Sequence, residues 1–237
     1  MAQAGLHAAL GYSLRHIIPY KKQFLPAVVF GAILPDLDVI VVALASLFYP
    51  ISQAVHLFHR SFSHSFFTII LMYLVFSFIS EWKKQFLYKS IGKGLVLGIL
   101  SHIIVDTFLW FREIQFLWPL PLEPFNFWGF WQAPGWLHRS MLTMEFFFFY
   151  WYAWFLISRH LKQPTRQSWI VKYLQYWKSC GGILFLIFIF LAYWEPAEFL
   201  VIFGAAYIPS IIIALWVTYM SRDALESNSY IVNESSN

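Results

Sequence analysis

Long apolar stretches alternate with short polar segments along the chain. A transmembrane helix requires about 20 consecutive apolar residues, and runs of roughly this length lie at 62–80, 94–111, 141–158 and 199–219. Residues 24–49 are equally apolar but are interrupted by Pro35, Asp36 and Asp38. This pattern predicts a helix to about Leu34, a break, and a second apolar segment that need not cross the membrane fully.

Two shorter apolar segments complete the predicted architecture. Residues 180–194 fit a tight helical hairpin with 199–219, and residues 4–17 predict a short N-terminal helix. The predicted fold class is all-α, a polytopic transmembrane helical bundle of about six spans plus the short N-terminal helix. We predict a single helical domain over residues 1–220, and its first two thirds contain the His and Asp residues that are candidates for a metal site. Residues 221–237 are polar and poor in aromatics, which predicts a disordered tail.

Composition excludes an ordinary soluble domain. Of the 237 residues, 59% are hydrophobic, 22% are aromatic and only 12% are charged, which is typical of an integral membrane protein. The formal net charge of +4 does not indicate nucleic-acid binding, because the Lys and Arg residues are spread over short loops. Membrane lipids are the expected partners, and the sequence sets no oligomeric state.

The basic residues also predict the orientation of the chain. Thirteen of the sixteen Lys and Arg residues fall in alternate loops that share one side of the membrane with both termini, whereas the other loops hold only Arg60, Arg112 and Arg139. Loops rich in Lys and Arg face the cytoplasm. Both termini are therefore predicted to be cytoplasmic.

His102 and Asp106 form the best-placed pair of metal ligands in the sequence. They are four residues apart on one predicted helix, so both side chains point the same way and chelation costs little conformational entropy. The alternative is an ion pair or hydrogen bond that ties two helices together. Ionisable residues within a membrane are expensive, which favours a function for them.

Asp36 and Asp38 follow a proline at the predicted helix break. One of them could cap the next segment by accepting a backbone N–H. A second carboxylate, with no Lys or Arg between Phe24 and Val55, lacks a counter-charge unless a cation binds. We predict Asp36 as a metal ligand and Asp38 as a catalytic or supporting group, although the two roles can be exchanged.

Two imidazoles and a guanidinium occur together in residues 59–65. His59 and His64 are five residues apart, which is about 140° around an ideal helix, so they predict a loop-to-helix corner around a metal ion. Arg60 is suited to a phosphate or carboxylate oxygen of a substrate, or alternatively to a lipid headgroup.

Glu145 and His7 extend the candidate site. Glu145 lies inside an apolar run, where a carboxylate has few structural explanations, and is predicted to be catalytic with Arg60 and Asp38. Counted at about 1.5 Å of rise per helical residue, the candidates lie roughly 14 to 26 Å from the basic face of the membrane. They therefore gather between the middle of the membrane and its non-cytoplasmic surface.

The segment over residues 112–140 is rich in Trp and Pro. These residues predict either an aromatic belt at the membrane interface or a lid that binds a lipid or sugar headgroup over the metal site.

The motifs together resemble the YdjM-like family of membrane-bound metal-dependent hydrolases. The family pattern consists of an N-terminal His, Gly-x-x-x-Pro-Asp-x-Asp, His-Arg-Gly-x-Thr-His-Ser and His-x-x-x-Asp. These motifs correspond here to His7, 31–38, 59–65 and 102–106, in roughly the first half of the chain. Ser61 stands where glycine is usual and Ser63 where threonine is, and the glycine expected after the last motif is not evident.

That family is similar in turn to zinc-dependent phospholipase C and the P1-type nucleases, all-helical proteins with several zinc ions. The resemblance implies a hydrolase of a phosphoester, with a lipid-linked substrate as one option, in the bacterial inner (plasma) membrane. It implies one or two divalent ions, zinc first and manganese or iron as alternatives. The predicted metal ligands are His7, Asp36, His59, His64, His102 and Asp106, and Arg60 would neutralise developing charge.

Two other classes of function fit the same residues. In an ion or solute transporter, the broken helix at Pro35 and the buried carboxylates would form an ion path. In a structural or partner-binding membrane protein, the His and Asp residues would merely tie helices together. The cytoplasmic halves of the predicted spans hold few ionisable residues, which favours the hydrolase.

Overall fold

Ten α-helices make up most of the described chain. The computed structural model describes residues 3–18, 21–162, 168–194 and 198–226. In chain order the helices are α1 Ala4–Ser13, α2 Phe24–Ile33, α3 Asp38–Ala45, α4 Ile51–Phe58, α5 Phe66–Lys83, α6 Phe86–Leu109, α7 Gly135–Lys162, α8 Val171–Trp194, α9 Phe199–Met220 and α10 Arg222–Glu226. Within these ranges there is no strand, only an isolated bridge between Ile114 and Phe125. The predicted all-α fold is confirmed.

Six helical segments of the described chain are long and apolar enough to cross a membrane. They are Phe24–Ala45, Phe66–Lys83, Phe86–Leu109, Gly135–Lys162, Val171–Trp194 and Phe199–Met220. This number confirms the predicted six spans. Two of the helices, α6 and α8, begin eight and nine residues earlier than the apolar runs at 94 and 180 indicated. Their first turns carry lysines, whose long side chains can place the amine at the membrane interface while the helix continues.

The first span is broken, as predicted. α2 ends at Ile33, a 3₁₀ turn occupies Leu34–Leu37, and α3 follows directly. Pro35 lies in the first turn of the 3₁₀ segment, where a missing N–H leaves no partner unsatisfied. The break places both Asp36 and Asp38 at the junction of the two helices, where each is buried.

Close packing of α2 against α6 positions one wall of the site. A Cβ atom on Gly98 would overlap the carbonyl oxygen of Val28, and a Cβ atom on Gly31 would overlap that of Leu95. Small residues allow helices to approach this closely inside a membrane. Four residues after Gly98, His102 therefore lies against the backbone of α2.

The N-terminal helix is shorter than the predicted range of 4–17. α1 ends at Ser13 and a 3₁₀ turn continues from Leu14 to His16. α1 packs against α2 and α7, and Gly5 lies directly against the backbone of Phe148 in α7. This contact carries His7 into the interior.

Aromatic side chains fill the space between α7, α8 and α9. The ring of Phe146 stacks on Phe188, with 4.9 Å between the centroids, and lies edge-on to Phe203 at 5.4 Å. Phe199 stacks on Phe203 at 6.2 Å. We call these four buried residues the aromatic cluster.

The chain after α9 differs from the predicted disordered tail. Arg222–Glu226 forms α10, in which Leu225 is buried in the core. Glu226 accepts hydrogen bonds from the backbone N–H and the side-chain amide of Gln23, at 2.8 and 3.1 Å. The prediction of disorder is thus wrong for 222–226, because these contacts order a segment with too few apolar residues to show a pattern. Residues 227–237 lie outside the described residues.

Candidate metal centre

Seven buried side chains from separate parts of the chain meet beside the broken first span. α1 supplies one, the junction of α2 and α3 supplies two, the corner before α5 supplies two, and α6 supplies two. Each is at most 1% exposed. We call them the polar cluster: His7, Asp36, Asp38, Arg60, His64, His102 and Asp106. All seven were candidates from the sequence, and the structure brings them together.

Asp106 lies at the centre of the polar cluster. Its Oδ1 is 3.0 Å from Nε2 of His7, and its Oδ2 accepts a hydrogen bond from Nη2 of Arg60 at 2.7 Å. The same Oδ2 is 3.5 Å from Nε2 of His64 and 3.7 Å from Nε2 of His102. One carboxylate thus lies within reach of three imidazoles and a guanidinium.

The backbone of α2 sets the tautomer of His102. Its Nδ1 is 2.7 Å from the carbonyl oxygen of Ala32, and a carbonyl can only accept, so Nδ1 carries the proton. In the neutral ring, Nε2 is then an unprotonated acceptor. A ring nitrogen bound to a carbonyl in this way is the usual arrangement behind a metal-ligating histidine.

A serine sets the tautomer of His64 in the same sense. The hydroxyl of Ser63 donates to Oδ2 of Asp38 at 2.8 Å, so its oxygen accepts from Nδ1 of His64, also at 2.8 Å. Nε2 of neutral His64 is therefore unprotonated too, and it lies only 3.2 Å from Nε2 of His102. Two lone pairs at this distance repel unless a cation or a proton lies with them.

Asp36 lies beside these two nitrogens without a hydrogen bond. Neither of its buried carboxylate oxygens has a partner among the described residues, and Oδ1 is 3.7 Å from Nε2 of His102. A buried polar atom without a partner is costly. The carboxylate is therefore available to a cation.

The charges of the polar cluster do not balance. Its three aspartates accompany one arginine, so two negative charges lack a counter-charge when the carboxylates are ionised and the histidines neutral. Donor atoms lie within 4.8 Å of one another in two groups, one of His7, His102 and Asp106 and one of Asp36, His64 and His102. Buried His and Asp groups of this composition can hold a metal ion.

A family match covers all of these residues. The model of the family described as YdjM inner membrane protein matches residues 2–205. The chain belongs to the YdjM family. The family's description as inner membrane proteins agrees with the six apolar spans. No curated protein and no solved structure matches the chain.

His59 lies beside the polar cluster in this member of the YdjM family. It belongs to neither group of candidate metal ligands. Its Nδ1 is 2.8 Å from Oδ1 of Asp38 instead, and its Nε2 has no partner among the described residues. Burial lowers the pKa of His59 to about 4, although the Asp38 carboxylate opposes this shift. The structure thus separates His59 from the predicted metal ligands and pairs it with the predicted catalytic aspartate.

Asp38 organises the corner before α5. Its Oδ2 accepts from the backbone N–H of Arg60 at 2.9 Å, in addition to the hydroxyl of Ser63. Arg60 has a φ of 59°, a left-handed conformation that costs energy for a residue with a side chain and that surrounding contacts must hold. Asp38 therefore supports the imidazoles and Arg60 from behind.

Glu145 contacts the backbone of α1 rather than the candidate metal ligands. Its Oε1 accepts from the backbone N–H of Ala4 at 2.8 Å, at the start of the helix that carries His7. A carboxylate at a helix N-terminus is stabilising. This contact gives Glu145 a positioning role, and its predicted catalytic role stays a prediction.

The Trp-rich segment is attached to the corner that carries Arg60. The backbone N–H of Gln115 donates to the carbonyl of Arg60 at 3.1 Å, and the hydroxyl of Ser65 donates to the carbonyl of Trp118 at 2.6 Å. Trp110 is buried, with its ring centroid 5.4 Å from Cζ of Arg60. The first part of the segment thus packs against the corner that carries Arg60.

The sequence predicted that Ser63 caps a helix or orients an imidazole, and it assigned no role in the site to Arg112. Ser63 connects Asp38 to His64, which only the 3₁₀ turn at Phe62–His64 makes geometrically clear. Arg112 lines a cavity with His59 and Arg60. One feature of the sequence indicated a role for Arg112: it is one of the three basic residues in the loops that hold few Lys and Arg.

Proposed function

We propose that this protein is a metal-dependent hydrolase of phosphoesters. The observation that carries the proposal is the 3.2 Å distance between the Nε2 atoms of His64 and His102, which both lack a proton when the rings are neutral, beside the unpartnered carboxylate of Asp36. Groups that only tied helices together would instead satisfy one another's hydrogen bonds. The uncompensated negative charge of the polar cluster supports a divalent ion.

The proposed ligands are Asp36, His64 and His102, together with Asp106 and His7. Because one Nε2 lone pair binds one ion, the two groups that share His102 are alternative ligand sets for a single ion. One ion is therefore favoured over two. Zinc is proposed first, with manganese and iron as alternatives that accept the same mixture of imidazoles and carboxylates.

A divalent ion bound here would lower the pKa of bound water and polarise a phosphoryl oxygen of the substrate. Arg60 can act beside it, because Nη2 is held by Asp106 while Nε and Nη1 have no partner among the described residues. Guanidinium donors fixed in this way are suited to neutralising charge on phosphoryl oxygens.

His59 is proposed to move a proton at Nε2. The hydrogen bond of Asp38 to Nδ1 orients the ring, and His59 lines the same cavity as Arg60. An imidazole oriented by a carboxylate is a common proton donor and acceptor in hydrolysis. The site is proposed to open on the non-cytoplasmic side, with both termini in the cytoplasm, on the strength of the distribution of Lys and Arg.

Metal content and hydrolysis of an aryl phosphate ester, measured on the same purified samples, test the proposal. The wild type is expected to carry a stoichiometric transition metal and to cleave the ester. His64→Ala and Asp106→Asn should lose the metal, whereas His59→Gln should keep it and lose roughly 100-fold or more in rate. His16→Ala, on an exposed residue, is the control and should match the wild type.

Metal-free wild-type protein would overturn the hydrolase. Metal bound by a protein that cleaves no phosphoester, but that accumulates metal in proteoliposomes, would favour the transporter. Size-exclusion profiles of every variant distinguish lost metal from lost folding.

A further inference from the structure

Two cavities meet at the wall formed by His59 and Arg112. The larger, of about 240 Å³, has a polar lining that includes His56, Arg60 and Asn126. The smaller, of about 50 Å³, is lined mainly by apolar side chains of α3, α7 and α9. We call them the polar cavity and the apolar cavity. Because both include His59, Arg112 and Val55 in their linings, the two cavities are adjacent.

The polar cavity has the chemistry of an anion site. Arg60 is 1% exposed, yet its Nε and Nη1 lack partners among the described residues. Arg112 lies at the exposed edge of the same cavity, with Nη2 at 3.1 Å from Nε2 of His138. The described lining contains one carboxylate, the exposed Glu113. Buried guanidinium donors without a partner are satisfied best by a phosphate.

The apolar cavity has the chemistry of a hydrocarbon site. Val39 and Val42 of α3 are buried and face it, as does Leu142 of α7. Leu200, near the start of α9, lines the same cavity and is 46% exposed. The apolar cavity thus extends from the wall that it shares with the polar cavity to an exposed residue of α9.

We propose that the substrate is an amphiphile, whose phosphate binds between Arg60 and Arg112 and whose hydrocarbon chain passes along Val42 and Leu200 into the bilayer. The inference rests on the proposed function, because it names the substrate class of the same site. A water-soluble phosphoester would use the polar cavity alone and would leave the apolar cavity without an occupant.

The test compares two phosphate probes that differ only in the chain. Inorganic phosphate and hexyl phosphate are titrated into metal-depleted protein in nanodiscs, with empty nanodiscs as the blank. Burying about two methylene groups in the apolar cavity should make hexyl phosphate bind about tenfold more tightly. Equal affinities, or no binding of hexyl phosphate, would overturn the proposal.

Variants separate the two parts of the site. Arg112→Gln should weaken both probes, whereas Arg222→Gln, an arginine three spans further along the chain, should weaken neither. Val42→Phe should reduce hexyl phosphate to the affinity of inorganic phosphate, and Leu200→Phe at the edge repeats this test with less risk to folding. Equal losses for both probes in the two Phe variants would contradict the chain path.

Metal content of the undepleted samples distinguishes the two proposals. Chain-dependent binding by a protein that never carries metal would refute the hydrolase and retain the amphiphile site. Stoichiometric metal without chain-dependent binding would refute the amphiphile and retain the metal centre.

Discussion

The polar cluster and the aromatic cluster are both buried between helices, but only one of them is satisfied by its own residues. In the aromatic cluster, Phe146 and Phe188 contact each other and Phe203, and no polar atom needs a partner. In the polar cluster, the Asp36 carboxylate and two nitrogens of Arg60 have no hydrogen bond among the described residues. A set of groups that is incomplete in this way can accept a ligand.

Because of this difference, we expect the aromatic cluster to contribute to stability and the polar cluster to contribute to function. Aromatic pairs contribute to packing through their own contacts, so a change there should affect folding alone. The polar cluster destabilises the fold when nothing compensates its charge, as functional sites often do. Removing one of its unpartnered groups should therefore have opposite effects in the absence and presence of metal.

The largest effect is expected from separating α2 and α6. Gly98→Leu places a side chain against the backbone of Val28 and should destabilise the protein by more than about 3 kcal/mol. It should also release the metal, because His102 loses its hydrogen bond to the carbonyl of Ala32. The unfolding midpoint and the metal content per folded molecule measure the two effects.

Gly204→Leu is the matched control for this change. A Cβ atom on Gly204 in α9 meets nothing within 4 Å, so this variant should keep both metal and stability. A Gly98→Leu protein that retains stoichiometric metal would show that the α2–α6 contact does not support the centre.

Much of the polar cluster could be predicted because its residues are conspicuous in an apolar sequence. His102 and Asp106 share a helical face, and the break at Pro35 indicated where Asp36 would lie. The division of roles between His59 and His64 could not be predicted. It depends on the left-handed conformation of Arg60 and on the 3₁₀ turn at Phe62–His64, which direct one imidazole to Asp38 and the other to His102.

Hydropathy also predicted the six spans, but it could not predict contacts between segments that are distant in the sequence. α8 begins at Val171 because its lysine-bearing first turns remain helical. α10 is ordered by the burial of Leu225 and by the hydrogen bonds of Glu226 to Gln23. Such contacts join residues about two hundred positions apart and leave no local periodicity.

A smaller effect, confined to stability, is expected in the aromatic cluster. Phe203→Ala removes a ring that contacts both Phe146 and Phe188 and should cost about 3 kcal/mol of unfolding free energy. Metal content per folded molecule should stay unchanged. Phe190→Ala, on a ring that is 58% exposed, is the control and should cost far less. Loss of metal in folded Phe203→Ala protein would contradict the separation of the two clusters.

The smallest effect, and the sharpest test of the comparison, is expected from Asp36→Asn. In metal-depleted protein this change replaces a buried carboxyl group that has no hydrogen bond, and it should raise the unfolding free energy by about 1 kcal/mol. With metal present, the wild type should be more stable than Asp36→Asn, because only the wild type gains the full stabilisation of metal binding. Unfolding midpoints with and without added zinc give both values, and Asp223→Asn, outside the polar cluster, should change neither. If Asp36→Asn destabilises the metal-depleted protein, the carboxylate has a partner of its own, and the polar cluster is then a structural tie between helices rather than a centre that metal completes.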